Sequence, residues 1–198
     1  MILLLAACAA DIRDLDGDGI PDVALTDTSA PPEDTGDTEP ADAADTGFDP
    51  HVIVTEAGDG SFLVEVDSTD GVTYMDLGVP AQTSAADGWE LSFERYFFRL
   101  NGGSNGDSGV EAAVISDQAF DAVTAAPTTG WLTDSEDLLV LGDWYVYDSV
   151  NHVLYAADQV YAIRNASGEN WKLQFVDYYD DYGNTGFPSF RVAPLPSP

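Results

Sequence analysis

Short apolar runs separated by Gly, Asp and Asn recur along the chain from residue 51 onward. Several runs alternate between apolar and polar side chains, which is the period of a half-buried β-strand. A turn-rich stretch at residues 56–60 separates the first two runs, as expected for a hairpin, and residues 165–168 form a second such turn. The pattern predicts strands at residues 52–55, 61–66, 73–77, 110–116, 144–147, 153–155, 159–164, 171–179 and 189–192.

Residues 89–100 also alternate, but the character of each face changes half-way along the segment. Trp89, Leu91 and Phe93 are followed on the same face by Arg95. Such a switch predicts a β-bulge, or a strand that crosses from one sheet to another.

One stretch has a helix-like pattern, at residues 117–123, with Ser116 or Asp117 as its N-cap. All the other elements are short strands bounded by turn residues. We therefore predict an all-β domain over residues 51–198, sandwich-like or an open barrel, with one short helix.

Residues 9–50 have a different composition, dominated by Asp, Ala, Thr, Pro and Gly. They carry thirteen acidic residues against the single base Arg13. Such a segment cannot bury enough apolar surface to offset the entropy of ordering it. The sequence predicts a disordered acidic spacer ahead of the folded domain.

The charge of the whole chain limits its function. The formal net charge is −30, from 6 Lys and Arg against 36 Asp and Glu. A field of that sign repels phosphate backbones, so nucleic acid is disfavoured as a partner. Carboxylates are too abundant for one pair to stand out as general acid and base, and no nucleophile has a recognisable base partner. The chain is predicted to bind rather than to catalyse.

Cys8 is the only cysteine, and it follows an apolar run that ends in Leu-Ala-Ala. This pattern is typical of a bacterial lipoprotein signal, here residues 1–8, with Cys8 as the site of lipid attachment. The run is short and has no basic residue, so a translation start upstream of Met1 stays open. It is also too short to span a bilayer, which leaves the lipid as the only anchor. Ala9 after the lipid site favours the outer membrane, at the cell surface or its periplasmic face.

The spacer contains a calcium-like motif in which Asp14, Asp16, Asp18 and Asp22 are interleaved with glycine. Carboxylates at alternate positions before a glycine turn match the first part of an oxygen-ligand calcium loop. The motif resembles the repeats of thrombospondin type 3 and dockerin modules. Leu25 stands where a complete loop has its bidentate acid. The alternatives are a weak Ca²⁺ site and a solvated acidic turn.

The folded part of the chain resembles the HmuY-like lipoproteins. Residues 89–95 (WELSFER) running into residues 100–104 (LNGGS) resemble the Trp-Asp-Leu-Ala-Phe and Asn-Gly-Gly hallmarks of that family. Residues 144–179 follow its C-terminal half in order and spacing, so the resemblance covers about residues 52–192. It implies an all-β fold that holds haem between two strand-loop projections through two axial side chains. It also implies transfer of haem to an outer-membrane receptor.

Few side chains are available as haem ligands. Haem iron takes one or two axial ligands, usually His or Met. His152 lies within the family pattern on a predicted turn, Met75 lies in a predicted strand, and His51 adjoins the spacer. The sets left open are His152 alone, His152 with Met75, and His152 with His51. For each residue a structural role is the alternative, as a turn histidine or a core methionine.

A haem cleft also needs aromatic walls and a cation for the propionates. Arg95 and Arg99 are rare cations in an acidic domain, and they would pair with propionates or with neighbouring acids. The residues that we predict to line the cleft are Tyr96, Phe98, Trp144, Tyr147, Arg95 and Arg99.

Taken with the resemblance, these features predict a lipid-anchored extracytoplasmic binding protein that captures haem or porphyrin for iron acquisition. The alternative is a surface adhesion or interaction domain of the same fold. Such a domain would bind a host or cell-surface protein or glycan, and no haem.

Overall fold

A computed structural model describes residues 50–198. The predicted lipoprotein signal, the acidic spacer over residues 9–49 and the calcium-like motif lie outside these residues. Within residues 50–198, no helix is long and apolar enough to cross a membrane. The strands are β1 Val52–Glu56, β2 Phe62–Val66, β3 Thr73–Asp76, β4 Ala81–Thr83, β5 Leu91–Glu94, β6 Phe97–Leu100, β7 Glu111–Ser116, β8 Tyr145–Asp148, β9 Val153–Ala156, β10 Gln159–Arg164, β11 Asn170–Tyr179 and β12 Thr185–Pro194.

The strands form two open sheets and a ribbon, in which all neighbouring strands that pair are antiparallel. The larger sheet has six strands in the order β1-β2-β12-β11-β10-β7. The smaller sheet has four strands in the order β4-β3-β5-β6. Strands β8 and β9 pair only with each other, and we call this pair the ribbon. The predicted all-β fold is confirmed.

Aromatic side chains join the two sheets into one core. Phe93 and Phe98 come from the smaller sheet, and Phe175 and Phe190 come from the larger one. Phe93 stacks on Phe190 with ring centroids 5.5 Å apart, and Phe98 stacks on Phe175 at 4.8 Å. Each stack therefore spans the interface between the sheets. Rings of this size bury a large apolar area, so they dominate the stability of the interface.

The larger sheet is covered on its second face as well. Along β10, Tyr161 and Ile163 belong to the main core, whereas Val160 and Ala162 belong to a smaller cluster with Phe120. Both sets are buried because successive side chains of a strand point to opposite faces. The amine of Lys172 (β11) donates to the carbonyls of Phe120 and Val123, at 2.8 and 2.9 Å, and holds the covering segment in place.

That covering segment replaces the helix predicted at residues 117–123. Only Phe120–Ala122 is helical, as a single 3-10 turn, and its N-cap Ala119 makes no side-chain capping hydrogen bond. The turn is short because Phe120 and Val123 both pack into the smaller cluster, while Lys172 takes their carbonyl groups. Tertiary contacts override the local pattern here.

The switch from apolar to polar side chains at Arg95 is due neither to a bulge nor to a sheet crossing, so this prediction was wrong. Residues 89–100 form two strands, β5 and β6, that pair with each other in one hairpin. Glu94 pairs with Phe97, so the turn consists of Arg95 and Tyr96. Arg95 has a φ of 52°, a left-handed conformation that is uncommon in residues other than glycine. The chain reverses at this point, and the faces change with it.

Two strands differ from the sequence pattern. Strand β4 was not predicted, because it has only three residues and no buried apolar side chain. Strand β12 extends over Thr185–Pro194, beyond the predicted residues 189–192. Gly186 and Pro188 interrupt the strand pattern there, as such residues do in strands with irregular pairing. The pairing of β11 with β12 does shift register near that end.

A glycine-rich loop after β6 packs against the chain more closely than side chains would permit. A Cβ on Gly102 would lie 2.2 Å from the carbonyl oxygen of Val110, and one on Gly103 would lie 1.8 Å from that of Asp134. Asp134 is itself buried. Its carboxylate accepts hydrogen bonds from the backbone amides of Leu100 and Val140, each at 2.8 Å. The Asn-Gly-Gly motif is thus a place where the backbone approaches Val110 and Asp134 closely.

We expect Gly103→Ala to destabilise the fold far more than Gly109→Ala. Gly103 and Gly109 have nearly equal φ values of 64° and 66°, but a Cβ on Gly109 would meet nothing within 4 Å. Both substitutions carry the left-handed cost of about 1–2 kcal/mol. Only Gly103→Ala adds a clash with backbone, at about 1–3 kcal/mol more. Urea unfolding of the two variants measures the difference, and equal midpoints would contradict the close approach.

Candidate functional site

An aromatic depression lies where the ribbon meets the turn between β5 and β6. It is open, has a volume of about 280 Å³, and is lined by Tyr96, Tyr145, Tyr147 and Leu154. We call it the ribbon depression. Tyr147 pairs with Leu154 across the ribbon, so their side chains share one face. Tyr145 is two residues before Tyr147 and points to the same side. Three phenol rings therefore surround one shallow space.

Trp144 fixes the two sides of this depression relative to each other. Its ring is fully buried against Phe98, with centroids 4.8 Å apart. Its indole N–H donates to the carbonyl of Tyr96 at 3.1 Å, which ties the start of the ribbon to the β5–β6 turn. Tyr145 follows directly and packs edge-on against the Trp144 ring. The core thus positions both walls of the depression.

The other strand of the ribbon is attached to β11. The amide of Leu154 donates to the phenol oxygen of Tyr179 at 2.8 Å. Tyr179 lies in the part of β11 where the pairing with β12 shifts register, near Asp177. A bulge re-aims side chains along a strand, and here it leaves Tyr179 to bond the ribbon.

The tip of the ribbon is a hydrogen-bonded turn that contains His152. The Asp148 carboxylate accepts from the amides of Val150 and Asn151, at 2.8 and 3.2 Å, and from the Asn151 side chain at 2.8 Å. The hydrogen bond from the Asn151 side chain, together with the two amides, lowers the pKa of Asp148. His152 has a φ of 58°. Its Nδ1 lies 2.6 Å from the phenol oxygen of Tyr147.

Arg95 directly precedes Tyr96 of the depression, although it is not itself one of the lining residues. Its backbone amide donates to the carbonyl of Ser68 at 3.0 Å. Within residues 50–198, Arg95 is in no ion pair, whereas Arg99, Arg164 and Arg191 each pair with a carboxylate. Burial raises the pKa of Tyr178, and the positive charge of Arg95 opposes that rise. The Arg95 charge therefore acts on Tyr178, which lies in the core beneath Trp144 and does not line the depression.

The other residues predicted for the cleft have different places. Phe98 and Trp144 are fully buried in the core, so they support the depression and do not line it. Arg99 pairs with Glu94 at 2.9 Å and borders a separate hollow. The prediction that the scarce cations pair with neighbouring acids thus describes Arg99, but not Arg95.

The structure does not bring the three candidate iron ligands together. Met75 is fully buried in the main core on β3, where its sulfur cannot reach a surface ligand in the described conformation. His51 borders another hollow, of about 270 Å³, with Asp67 and Tyr182. Its backbone is held by Gln82 and Asp67, so it is not a loose spacer residue. His152 lies in the ribbon turn, as predicted, and lines neither hollow.

No other cluster in the described part of the chain has the composition of a metal centre. Residues 50–198 contain no group of three or more His, Cys, Asp or Glu side chains arranged to hold a metal ion. The site is consequently best described by its aromatic rings, one imidazole and one cation. Tyr145 belongs to the aromatic residues that the sequence offers for a cleft, whereas sequence reasoning missed Leu154, which pairs with Tyr147 across the ribbon.

Comparison by sequence places part of this architecture in a known family. Residues 68–142, which include β3 to β7 and the glycine-rich loop, match the family model described as HmuY protein. Residues 68–142 are HmuY-like. The resemblance predicted from the sequence is confirmed. No protein of curated function matches the chain by sequence. The ribbon follows this HmuY-like region in the chain and lies outside the match.

Solved structures of HmuY-like proteins share the fold. A Bacteroides vulgatus protein described as an HmuY-like haem-binding protein matches 73% of this chain and 97% of its own, at 16% identity and a TM-score of 0.56. The apo HmuY analogue of Tannerella forsythia matches 74% of this chain and 97% of its own, at 18% identity and a TM-score of 0.54.

A third structure, described as a lipoprotein from Bacteroides fragilis, has the same degree of similarity. It matches 72% of this chain and 95% of its own, at 18% identity and a TM-score of 0.56. At such identities the three likenesses define the HmuY-like fold, and the chemistry of the site rests on this chain's own residues.

We expect Tyr179→Phe to loosen the ribbon without unfolding the domain. The variant removes the acceptor of the Leu154 amide, at a cost of about 1 kcal/mol, or about fivefold faster amide exchange at Leu154. Tyr182→Phe is the matched control, because Tyr182 is almost fully exposed. Hydrogen exchange followed by NMR makes the comparison, and unchanged exchange at Leu154 would contradict this attachment.

Proposed function

We propose that this HmuY-like chain is a binding protein that captures haem or a related porphyrin in the ribbon depression. The observation that carries the proposal is an open space with three phenol rings, one of which, Tyr96, directly follows Arg95, an arginine with no ion pair within residues 50–198. Haem combines a flat apolar macrocycle with two propionates. A flat aromatic surface beside an available guanidinium complements both parts of it.

The residues present fit this ligand on one of its faces. Pockets that enclose a drug-sized ligand usually have volumes of about 300–1,000 Å³. The ribbon depression has about 280 Å³ and is open, so it covers one face of the macrocycle. Tyr96 and Tyr145 would pack on that face, Arg95 would pair with a propionate, and the Tyr147–His152 pair would supply a donor to the iron.

The negative charge of the chain would make Arg95 the preferred place for an anionic ligand. With a formal net charge of −30, most of the surface repels an anionic porphyrin. The described cations other than Arg95 are engaged, three by carboxylates and Lys172 by backbone carbonyls. An anionic ligand therefore has one place in residues 50–198 where its charge is offset.

The proposal extends to location. Cys8 would carry the lipid that anchors the protein to the outer membrane, and residues 9–50 would act as a spacer between lipid and domain. The likeness to a protein described as a lipoprotein supports this view. Captured haem would then pass to an outer-membrane receptor, which makes the chain part of iron acquisition.

A second candidate function has one observation in its favour. Val146 and Tyr155 pair across the ribbon on the face opposite the depression, and they are 62% and 55% exposed. An exposed apolar pair on a projecting ribbon is typical of a contact surface for a protein or glycan. This supports the adhesion or interaction domain as the alternative, and binding of haem discriminates between the two.

We expect Arg95→Gln to weaken haem binding up to about fivefold, because an exposed ion pair contributes at most about 1 kcal/mol. The effect should shrink at high salt and vanish with the dimethyl ester of the porphyrin, which has no carboxylates. Arg99→Gln is the matched control, since Glu94 already pairs with Arg99. Absorbance titration of the purified chain with ferric protoporphyrin gives the affinities.

A titration of the unaltered chain that is indistinguishable from free haem would overturn the proposed function. Saturable binding that is equally affected by Arg95→Gln and Arg99→Gln would keep the function but move the propionate contact away from Arg95. Failure of haem binding would direct attention to the face that carries Val146 and Tyr155.

We expect Cys8→Ser to release the protein from the membrane fraction of a bacterium that processes lipoproteins. A serine cannot take the thioether-linked lipid, and a single anchor of this kind is the only attachment that we propose. Fractionation and labelling with a radioactive fatty acid check both parts. Labelled, membrane-bound Cys8→Ser protein would contradict the assignment.

A further inference from the structure

We infer that Tyr147, rather than His152, donates to the iron of a bound haem, and that His152 positions the Tyr147 phenol through its Nδ1. The inference rests on the proposed function and deepens it. It assigns the donor atom at the ribbon depression, which the sequence alone would have given to the histidine.

The first argument is placement. Tyr147 lines the ribbon depression and is 51% exposed, so its side chain is accessible to a ligand that occupies this space. His152 does not line the depression, and its Nδ1 lies 2.6 Å from the Tyr147 phenol oxygen. A ligand in the depression therefore contacts Tyr147 directly and the imidazole only through Tyr147.

The second argument is that Tyr147 differs from the other two tyrosines of the depression. The rings of Tyr96 and Tyr145 pack against Phe97 and Trp144, with centroids 4.4 and 5.0 Å apart. Within residues 50–198, neither of their phenol groups makes a hydrogen bond, whereas the phenol of Tyr147 has an imidazole partner. A phenol is a weak ligand until its proton has somewhere to go, and Tyr147 alone has that place.

The chemistry balances without an added reactant. The phenol oxygen of Tyr147 is a known type of haem ligand. Tyr147 would hold ferric iron through its phenolate oxygen, and Nδ1 of His152 would take the phenol proton and keep the hydrogen bond to that oxygen, with no electron transferred. A residue that hydrogen-bonds a metal-ligating side chain orients that side chain and raises its basicity.

The turn at the ribbon tip explains why the pair keeps its geometry. His152 has a φ of 58°, and the Asp148 carboxylate holds the preceding residues Val150 and Asn151 by their amides. The strand pairing of Asp148 with Val153 closes the ribbon beneath this turn. The ring of His152 is thus directed back toward Tyr147, five residues earlier in the chain.

The test compares ferric protoporphyrin with metal-free protoporphyrin on the purified chain and on three variants. Tyr147→Phe should lose at least about 10- to 100-fold in affinity for ferric protoporphyrin, the range seen when the support of a metal ligand is removed. Its affinity for metal-free protoporphyrin, followed by fluorescence, should stay unchanged because the ring is kept. Tyr155→Phe, on the opposite face of the ribbon, is the control and should match the unaltered chain in both titrations.

His152→Ala separates a positioning role from direct ligation. With Tyr147 as donor, the variant should bind haem more weakly but keep the phenolate-to-iron charge-transfer absorption, which Tyr147→Phe should lack. The hydrogen bond itself can be read without haem. The chain has two histidines, so ¹⁵N NMR resolves Nδ1 of His152, and Tyr147→Phe should shift that signal while Tyr155→Phe should not.

The outcomes are distinct. Haem binding that survives Tyr147→Phe but is lost in His152→Ala would overturn the inference, make His152 the ligand and leave the proposed function in place. Equal loss of both porphyrins in Tyr147→Phe would also overturn it, since the ring would then be only a wall of the depression. Absence of saturable haem binding by the unaltered chain would overturn the proposed function and this inference together.

Discussion

The site depends on the packing and hydrogen bonding of the buried Trp144 ring. It packs on Phe98 from the smaller sheet and on Phe175 from the larger one, with ring centroids 4.8 and 5.2 Å apart. The same indole donates its N–H to the β5–β6 turn, and the ribbon begins at the next residue. A buried indole needs such an acceptor. The core therefore sets the position of the ribbon, although β8 and β9 pair with neither sheet.

A second constraint acts from the other side of the β5–β6 hairpin. The buried Asp134 carboxylate accepts from the amides of Leu100 and Val140, and glycines at 102 and 103 let the backbones approach. Two buried amides satisfied by one carboxylate are costly to disturb. The end of β6 is thereby fixed to the segment that leads into Trp144. The region that matches the HmuY family ends at residue 142, so it includes this frame, and the ribbon that follows carries Tyr147 and His152.

Scarcity of positive charge distinguishes the region around Arg95. The chain has 36 acidic residues, and within residues 50–198 three of the four arginines pair with a carboxylate. Arg95 escapes pairing because it occupies a two-residue turn with a φ of 52°, where its backbone is held by Ser68 and its strand neighbour Glu94 pairs with Arg99 instead. The left-handed turn, the available guanidinium and the tyrosine next to it are one local arrangement. A flat anionic ligand is the class of molecule that this arrangement complements.

The sequence by itself determined the fold class and most of the strands, because a period of two with turn residues between runs is a local property of the chain. It also carried the family resemblance, through the Trp89 and Asn101-Gly-Gly segments. It could not determine that residues 89–100 reverse as a hairpin, or that Phe120 is drawn from a helix into a second cluster. Nor could it show that Met75 is core, that Arg95 is the one described arginine outside an ion pair, or that His152 hydrogen-bonds Tyr147. Those facts depend on which surfaces meet, and only the tertiary structure, where burial and pairing are decided between distant residues, fixes them.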